Sequence, residues 1–417
     1  MGLTITEKIL LAHTDKRFIS PGEFINARVD LALGNDITAP LAIAKFKGAR
    51  IKKVFDRKRV VLVCDHFVPN KDAASARQSK LLADFSRDYK IKHFYPLGDG
   101  GIEHVLLPER GLVTPGDLVI GADSHTCTYG ALGAFSTGVG STDLTAAWIT
   151  GMVWLRVPES IKFIYYGKLK KWVGGKDLIL NTIGDIGVSG ALYKAMEFSG
   201  PVIRNLAMDD RFTICNMAVE AGGKSGIIET DEITRRYTNS GVGEKIYHSD
   251  KGASYCDVRA YDLSKMEPQV SCPHLPSNVQ AVSKLGNVNI DQSVIGSCTN
   301  GRISDLILAA RVLKGRKVNS RVRLLIFPGT QRIYRQALKA GLMDIFIKAG
   351  ATVCPPTCGP CLGGHMGILG ENEVAIATTN RNFRGRMGAL SSEVYLSNPA
   401  VAAASAIKGQ IAHPEEI

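Results

Sequence analysis

Short apolar runs rich in valine and isoleucine recur along the chain, at 59–64, 118–120, 161–166, 294–295, 322–327 and 374–377. Runs this short, without polar alternation, predict strands buried on both faces. Helix-like stretches separate them. Thr4-Ile5-Thr6-Glu7 has capping-box spacing, so a helix is predicted from there to His13. Near the end, 395–407 reads as a helix entered through Pro399, then a short tail. Strands alternating with helices predict an α/β protein with mostly parallel sheets. No fixed-period repeat is present. Breaks near Pro158 and Gly286 divide the chain into three expected α/β domains, 1–157, 158–285 and 286–417.

Composition narrows the class. The 417 residues are 45% hydrophobic and 22% charged, a globular balance that excludes a disordered or collagen-like chain. No apolar run approaches the ~18 residues of a membrane span. The opening has no charged segment followed by an apolar one, so no export signal and a cytoplasmic location are expected. Gly2 and Thr6 fit the loose myristoylation pattern, but a plain initiator Met-Gly is the simpler reading. Lys and Arg exceed Asp and Glu by 51 to 39, giving +12. This excess is spread out. Its densest stretches, 57–59, 168–171 and 314–323, lack interleaved aromatics, so a solvated surface is expected rather than nucleic-acid binding.

Polar clusters follow the apolar runs. Asp65-His66, Asp123-Ser124-His125, Ser297-Cys298-Thr299-Asn300 and Asn380-Arg381-Asn382 each come directly or shortly after one. In open α/β sheets ligands bind beyond the carboxyl ends of strands, so these clusters are candidates for one site. The glycines of 130–140 give neither a Walker A loop nor a clean Gly-x-Gly-x-x-Gly, and tight turns or close packing are expected there.

The nine cysteines are odd in number, in a large chain with no export signal, so thiols or metal ligands are expected rather than disulfides. Cys358-Gly359-Pro360-Cys361 is a Cys-x-x-Cys on a tight turn. Cys354 precedes it by four residues, and Cys298 lies 60 residues upstream at a strand-to-helix junction. A helix N-terminus favours the thiolate. Four thiolates, Cys354 included, would make a closed zinc site. Three would hold a cubane iron–sulfur cluster with one iron left open as a Lewis acid. A nearby pool of His, Asp and Arg fits the second case better.

Ser297-Cys298-Thr299-Asn300-Gly301, Cys358-Gly359-Pro360-Cys361 and Asn380-Arg381-Asn382-Phe383, with Gly385-Arg386, follow one another in that order. Asp65-His66, Gly101-Ile102-Glu103-His104 and Gly121-Ala122-Asp123-Ser124-His125-Thr126 lie upstream. Together they resemble the aconitase superfamily over essentially the whole chain. The nearest likeness is to its shorter, two-chain dehydratases acting on isopropylmalate or homocitrate. The resemblance implies three α/β domains around a [4Fe-4S] cluster, held by Cys298, Cys358 and Cys361, with one iron lacking a protein ligand. Cys354 then packs. Asn216 and Asn380 resemble the asparagines that bond cluster sulfurs. Arg381 and Arg386 resemble arginines that hold carboxylates, and Ser124 a substrate-binding serine. Asp65-His66 resembles the pair that protonates a departing hydroxyl. Asp123 resembles the partner of His104, and Glu220 the partner of His125. Cys127-Thr128 replaces the Pro-Asn of single-chain members.

The family's fourth, swivelling domain has no counterpart in the roughly 25 residues after Ser392. The resemblance therefore implies a separate small subunit that supplies the base. The expected reaction is dehydration and rehydration of a hydroxy-dicarboxylate of the isopropylmalate, homocitrate or citraconate type. The competing non-enzyme readings are a zinc-stabilised binding protein and RNA binding by a cluster-free form.

Overall fold

Val60–Val63 has no side chain suited to water, and all four of its residues are buried. In the computed structural model, which describes residues 2–238 and 245–417, it is an inner strand of a five-stranded sheet. The order is His93–Tyr95, Val60–Val63, Leu31–Asn35, Leu118–Gly121, Phe135–Gly138, parallel throughout. The other apolar runs also form strands: Ser160–Tyr166, Gln292–Ile295, Arg323–Ile326 and Val374–Ala377. The first helix, Ile5–Ala12, begins at the Thr4–Glu7 capping box, with both reciprocal bonds formed.

The chain forms two compact units. The first comprises residues up to 97, 107–167 and 191–261. It holds the five-stranded sheet and a smaller one ordered Ser225–Ile227, Ala195–Ser199, Ser160–Tyr166, Asp257–Asp262. A Phe24–Arg28 and Met152–Arg156 antiparallel ribbon completes it. Beside the larger sheet, Phe85 stacks on Trp148 at 5.4 Å and meets Phe46 edge-on at 5.5 Å. Burying these rings joins the helices Ala39–Gly48, Ala73–Tyr89 and Ser141–Thr150.

The second unit comprises 98–106, 168–190 and 262–417. Its seven-stranded sheet runs Val279–Ala281, Gln269–Ser271, Glu393–Leu396, Val374–Ala377, Gln292–Ile295, Arg323–Ile326, Thr352–Val353. The last five strands are parallel, and Gln269–Ser271 runs antiparallel to both of its neighbours. The last helix is entered through Pro399 as expected, but it starts later than 395. Tyr395 and Leu396 belong to a strand, and the helix is Pro399–Lys408. The Asn398 side chain accepts from the amides of Ala400 and Val401 and starts that helix, with Pro399 already fixed in a helical φ. The short apolar run before Asn398 satisfies its backbone by pairing with Val374–Ala377 instead. Among the described residues, no helix is long and apolar enough to cross a membrane.

Asp117 leads into the strand Leu118–Gly121. Its carboxylate accepts from the Thr114 amide at 2.7 Å and the Thr114 hydroxyl at 3.0 Å. Burial, aided by the nearby Asp30 carboxylate, pushes its pKa up to about 6. A raised pKa means that the fold favours the protonated acid. That stabilisation is complete below the ordinary carboxylate range and is lost as pH rises through about 6. Asp117→Asn keeps the acceptor and removes the charge. Thermal unfolding from pH 3.5 to 8 should show the variant more stable than wild type by about 1–2 kcal/mol at pH 8. The gap should close below pH 4. A variant less stable than wild type at pH 8 would refute this account.

Candidate active site

In the first unit, the carboxyl ends of parallel strands carry a cluster of carboxylates and imidazoles. After Leu31–Asn35, the Asp36 carboxylate accepts from the amides of Asp65, His66 and Phe67 at 3.1, 3.0 and 2.8 Å. That fixes the turn after Val60–Val63. Asp65 is fully buried, and its Oδ1 lies 2.7 Å from His66 Nδ1. A carboxylate on Nδ1 holds the proton there in the neutral ring and sets the ring's orientation. His66 Nε2 points the other way, 3.8 Å from Asp123 Oδ2.

Asp123 opens the polar segment after Leu118–Gly121 and caps the 3-10 helix Ser124–Leu132 by accepting from the His125 amide at 2.8 Å. The ring of His125 meets Glu220, Nε2 to Oε1 2.9 Å. Cys127 and Thr128, unassigned from sequence, both grip Asn216. The Cys127 thiol donates to its carbonyl at 3.3 Å, and its amide donates to the Thr128 hydroxyl at 2.7 Å. Ser124 lines a cavity of about 480 Å³ whose wall includes Lys224 and the 138–140 loop. Burial lowers the pKa of Lys224 against the opposing pull of Asp143.

In the second unit, the cysteines sit on two tight turns. Gly296 follows Gln292–Ile295 at φ +139°, where a Cβ would lie 2.3 Å from the Phe327 carbonyl oxygen. Ser297 then takes φ +78°, a left-handed conformation that costs about 1–3 kcal/mol outside glycine. This swings Cys298 into the short helix Ser297–Asn300. Gly359, at φ +57°, lies against the Phe327 ring, where a Cβ would come within 2.7 Å. Phe327 thus spaces the Cys298 turn from the Cys358–Cys361 turn.

All three cysteines are buried. Asn380 reaches two of them: its Nδ2 donates to the Cys298 sulfur at 3.3 Å, and its Oδ1 lies 3.5 Å from the Cys361 sulfur. Arg386 Nη2 lies 3.9 Å from the Cys361 sulfur. Its buried Nε has no hydrogen-bond partner among the described residues. An amide on two sulfurs and an unsatisfied guanidinium N–H beside them suit an anionic, sulfur-ligated group. Cys354 differs. Burial alone pushes its thiol up to about 11, and among the described residues no charge beside it favours a thiolate.

Arg302 escaped the sequence reading. It is buried and donates to the carbonyls of Cys298 and Thr299 at 2.9 and 3.2 Å, and to that of His104 at 3.1 Å. Its only signal was its place after Ser-Cys-Thr-Asn-Gly. His104 itself is buried, with Nε2 3.5 Å from Glu103 Oε1. Arg381 follows Asn380 directly, and Asn382 anchors the far side of the loop to the Cys272 carbonyl at 2.8 Å.

The sequence profile of the aconitase family (aconitate hydratase) matches residues 7–287 and 280–409. Relatives named 3-isopropylmalate dehydratase large subunit are similar over the full chain. Those of Thermodesulfovibrio yellowstonii and Syntrophus aciditrophicus are each 63% identical, covering 100% of both chains. That of Aquifex aeolicus is 60% identical, covering 100% of this chain and 98% of its own. A crystal structure of Thermococcus kodakaraensis aconitase X in its holo-form shares the fold, with a TM-score of 0.51 at 14% identity over 94% of this chain and 97% of that one.

The burial of individual thiols predicts their reactivity. Cys64 is pushed up to about 12 by burial and by the Asp36 and Asp65 carboxylates, and Cys354 to about 11. Both should remain unmodified when the folded protein meets iodoacetamide at pH 8, whereas exposed Cys256 should be alkylated. Peptide mass mapping reads this directly. Alkylation of Cys354 as fast as Cys256 would contradict its packed role.

Proposed function

The chain belongs to the aconitase family, and we propose that it is the large subunit of a 3-isopropylmalate dehydratase. That hydro-lyase interconverts 2-isopropylmalate and 3-isopropylmalate by dehydration and rehydration, in leucine biosynthesis. Identity of 60–63% over the whole chain to relatives of that name supports the substrate. The structural observation that carries the reading is Asn380, whose amide touches the sulfurs of both Cys298 and Cys361.

Cys298, Cys358 and Cys361 would hold a [4Fe-4S] cluster, leaving one iron without a protein ligand. When bound, the cluster supplies Lewis-acid chemistry toward a hydroxyl and a carboxylate. The chain's own residues do the rest. Asn380 and Asn216 steady the cluster sulfurs. Arg381 and Arg386 bind substrate carboxylates, for which the guanidinium fork is better shaped than an ammonium. Ser124 adds a hydrogen bond to substrate. Asp65 keeps one proton of His66 on Nδ1, so the protonated ring gives up the other from Nε2. That proton joins the departing hydroxyl as the C–O bond breaks, releasing water. The carbon-bound proton goes to a base on a small subunit, and the electron pair left behind forms the double bond. Return of water at the neighbouring carbon moves the hydroxyl. Asp123 and Glu220 orient the imidazoles of His104 and His125. The "large subunit" in the relatives' names supports the two-chain arrangement. Three aconitase-like domains, 1–157, 158–285 and 286–417, are part of the same proposal.

The reading is tested by anaerobic reconstitution with iron and sulfide, followed by assay with and without the small subunit. Substrates are 2-isopropylmalate, homocitrate and citraconate. Turnover of 2-isopropylmalate should require both chains. Cys298→Ser, Cys358→Ser or Cys361→Ser should each lose the visible absorbance and turnover, while Cys354→Ser keeps both. A colourless protein with stoichiometric zinc would refute the cluster, and preference for homocitrate or citraconate would reassign the substrate.

His66→Ala should lower turnover by about 10²–10⁴-fold, the usual weight of a general acid. Its absorbance spectrum should match wild type. Turnover within a few-fold of wild type would remove His66 from the acid's role.

A further inference from the structure

Lys176 stands at the start of the helix Gly175–Ile186 and is only 1% exposed. A buried ammonium is strongly disfavoured unless its N–H groups find acceptors. Its Nζ donates to the carbonyl of Thr378 at 3.0 Å and that of Thr379 at 2.5 Å. These two residues join the strand Val374–Ala377 to Asn380. The Thr378 carbonyl also accepts from the Thr299 hydroxyl at 2.6 Å. The Thr378 hydroxyl accepts from the Gly296 amide and donates to the Gly296 carbonyl, each at 2.9 Å. Lys176 therefore holds the segment that carries Asn380 and Arg381, at the point where it meets the Cys298 turn. The next residue extends the grip. Asp177 is fully buried and accepts from Asn398 at 3.1 and 3.0 Å, beyond the neighbouring strand Glu393–Leu396.

We propose that Lys176 is a positioning residue for the candidate active site: its ammonium pins the Thr378–Thr379 backbone so that Asn380 stays against the sulfurs of Cys298 and Cys361 and Arg381 keeps its place. The chemistry of the contact supports this. An ammonium aimed at main-chain carbonyls carrying no net charge sets the path of a loop. Methionine at this position would keep nearly the same length and fill the same space, yet release both carbonyls.

The inference rests on the cluster-bearing hydro-lyase reading, and its test separates the two. Wild-type, Lys176→Met, Lys176→Gln and Lys176→Arg large subunits are reconstituted anaerobically with iron and sulfide and mixed with the small subunit. KM and kcat for 2-isopropylmalate, the low-temperature electron paramagnetic resonance of the reduced cluster, and the rate of bleaching under a fixed oxygen dose are measured. Lys176→Met should lose roughly 10–100-fold in kcat/KM, as expected for losing charge-assisted hydrogen bonds, with a raised KM. Its resonance line shape should change, and it should bleach faster. Lys176→Arg and Lys176→Gln, which keep N–H donors, should recover part of each. Wild-type line shape, bleaching rate and KM in Lys176→Met, with only a lower melting temperature, would overturn the proposal. If Lys176→Met does not fold, Lys176→Gln decides on the same three readouts, and values equal to wild type overturn it. A wild-type protein that takes up no iron and sulfide would instead sink the functional reading.

Discussion

The ends of two neighbouring parallel strands, Gln292–Ile295 and Val374–Ala377, are tied to each other by one threonine hydroxyl. Thr378 bonds both the amide and the carbonyl of Gly296. Everything chemically distinctive in the second unit hangs from that junction. On one side, Gly296 and Ser297 leave the ordinary backbone regions and deliver Cys298. On the other, the chain runs straight into Asn380 and Arg381. Because the strands are hydrogen-bonded in register, the junction fixes the spacing between a sulfur and the amide that meets it. Parallel sheets gather such residues at one edge by construction, which is why ligand sites settle at the carboxyl ends of strands.

The first unit solves a related problem with charge. A histidine ring can be fixed in place without being locked in one charge state. Asp36 spends its carboxylate on three backbone amides, so the turn beneath His66 is rigid while Asp65 remains for the ring. The two carboxylates divide structure and chemistry between them. His125 and Glu220 repeat the pairing.

Much of this was legible in the residues because it rests on side chains with strong local signatures. Six apolar runs became strands, and Thr4 with Glu7 announced the first helix. The cysteine spacing and the Asn-Arg-Asn segment were visible as motifs. What escaped is of one physical kind. Asp36, Arg302 and Lys176 are buried charges that each bond a main-chain group distant in sequence, Arg302 through the His104 carbonyl. A backbone carbonyl looks the same in every residue, so no spacing rule betrays its partner. Tyr395 and Leu396 read as part of the last helix for a different reason. The stretch 395–407 is largely apolar, and Asn398-Pro399 alone marks where strand pairing gives way to a capped helix.

Phe327 makes the two cysteine turns interdependent. Its backbone crowds Gly296 and its ring crowds Gly359, so both turns are moulded on a single residue that bears no ligand atom. Drift at any one of these three positions would displace sulfurs on both turns together. Residues 296, 327 and 359 should therefore evolve as one block, and an engineer who wished to widen or narrow the sulfur cradle would have to redesign all three at once.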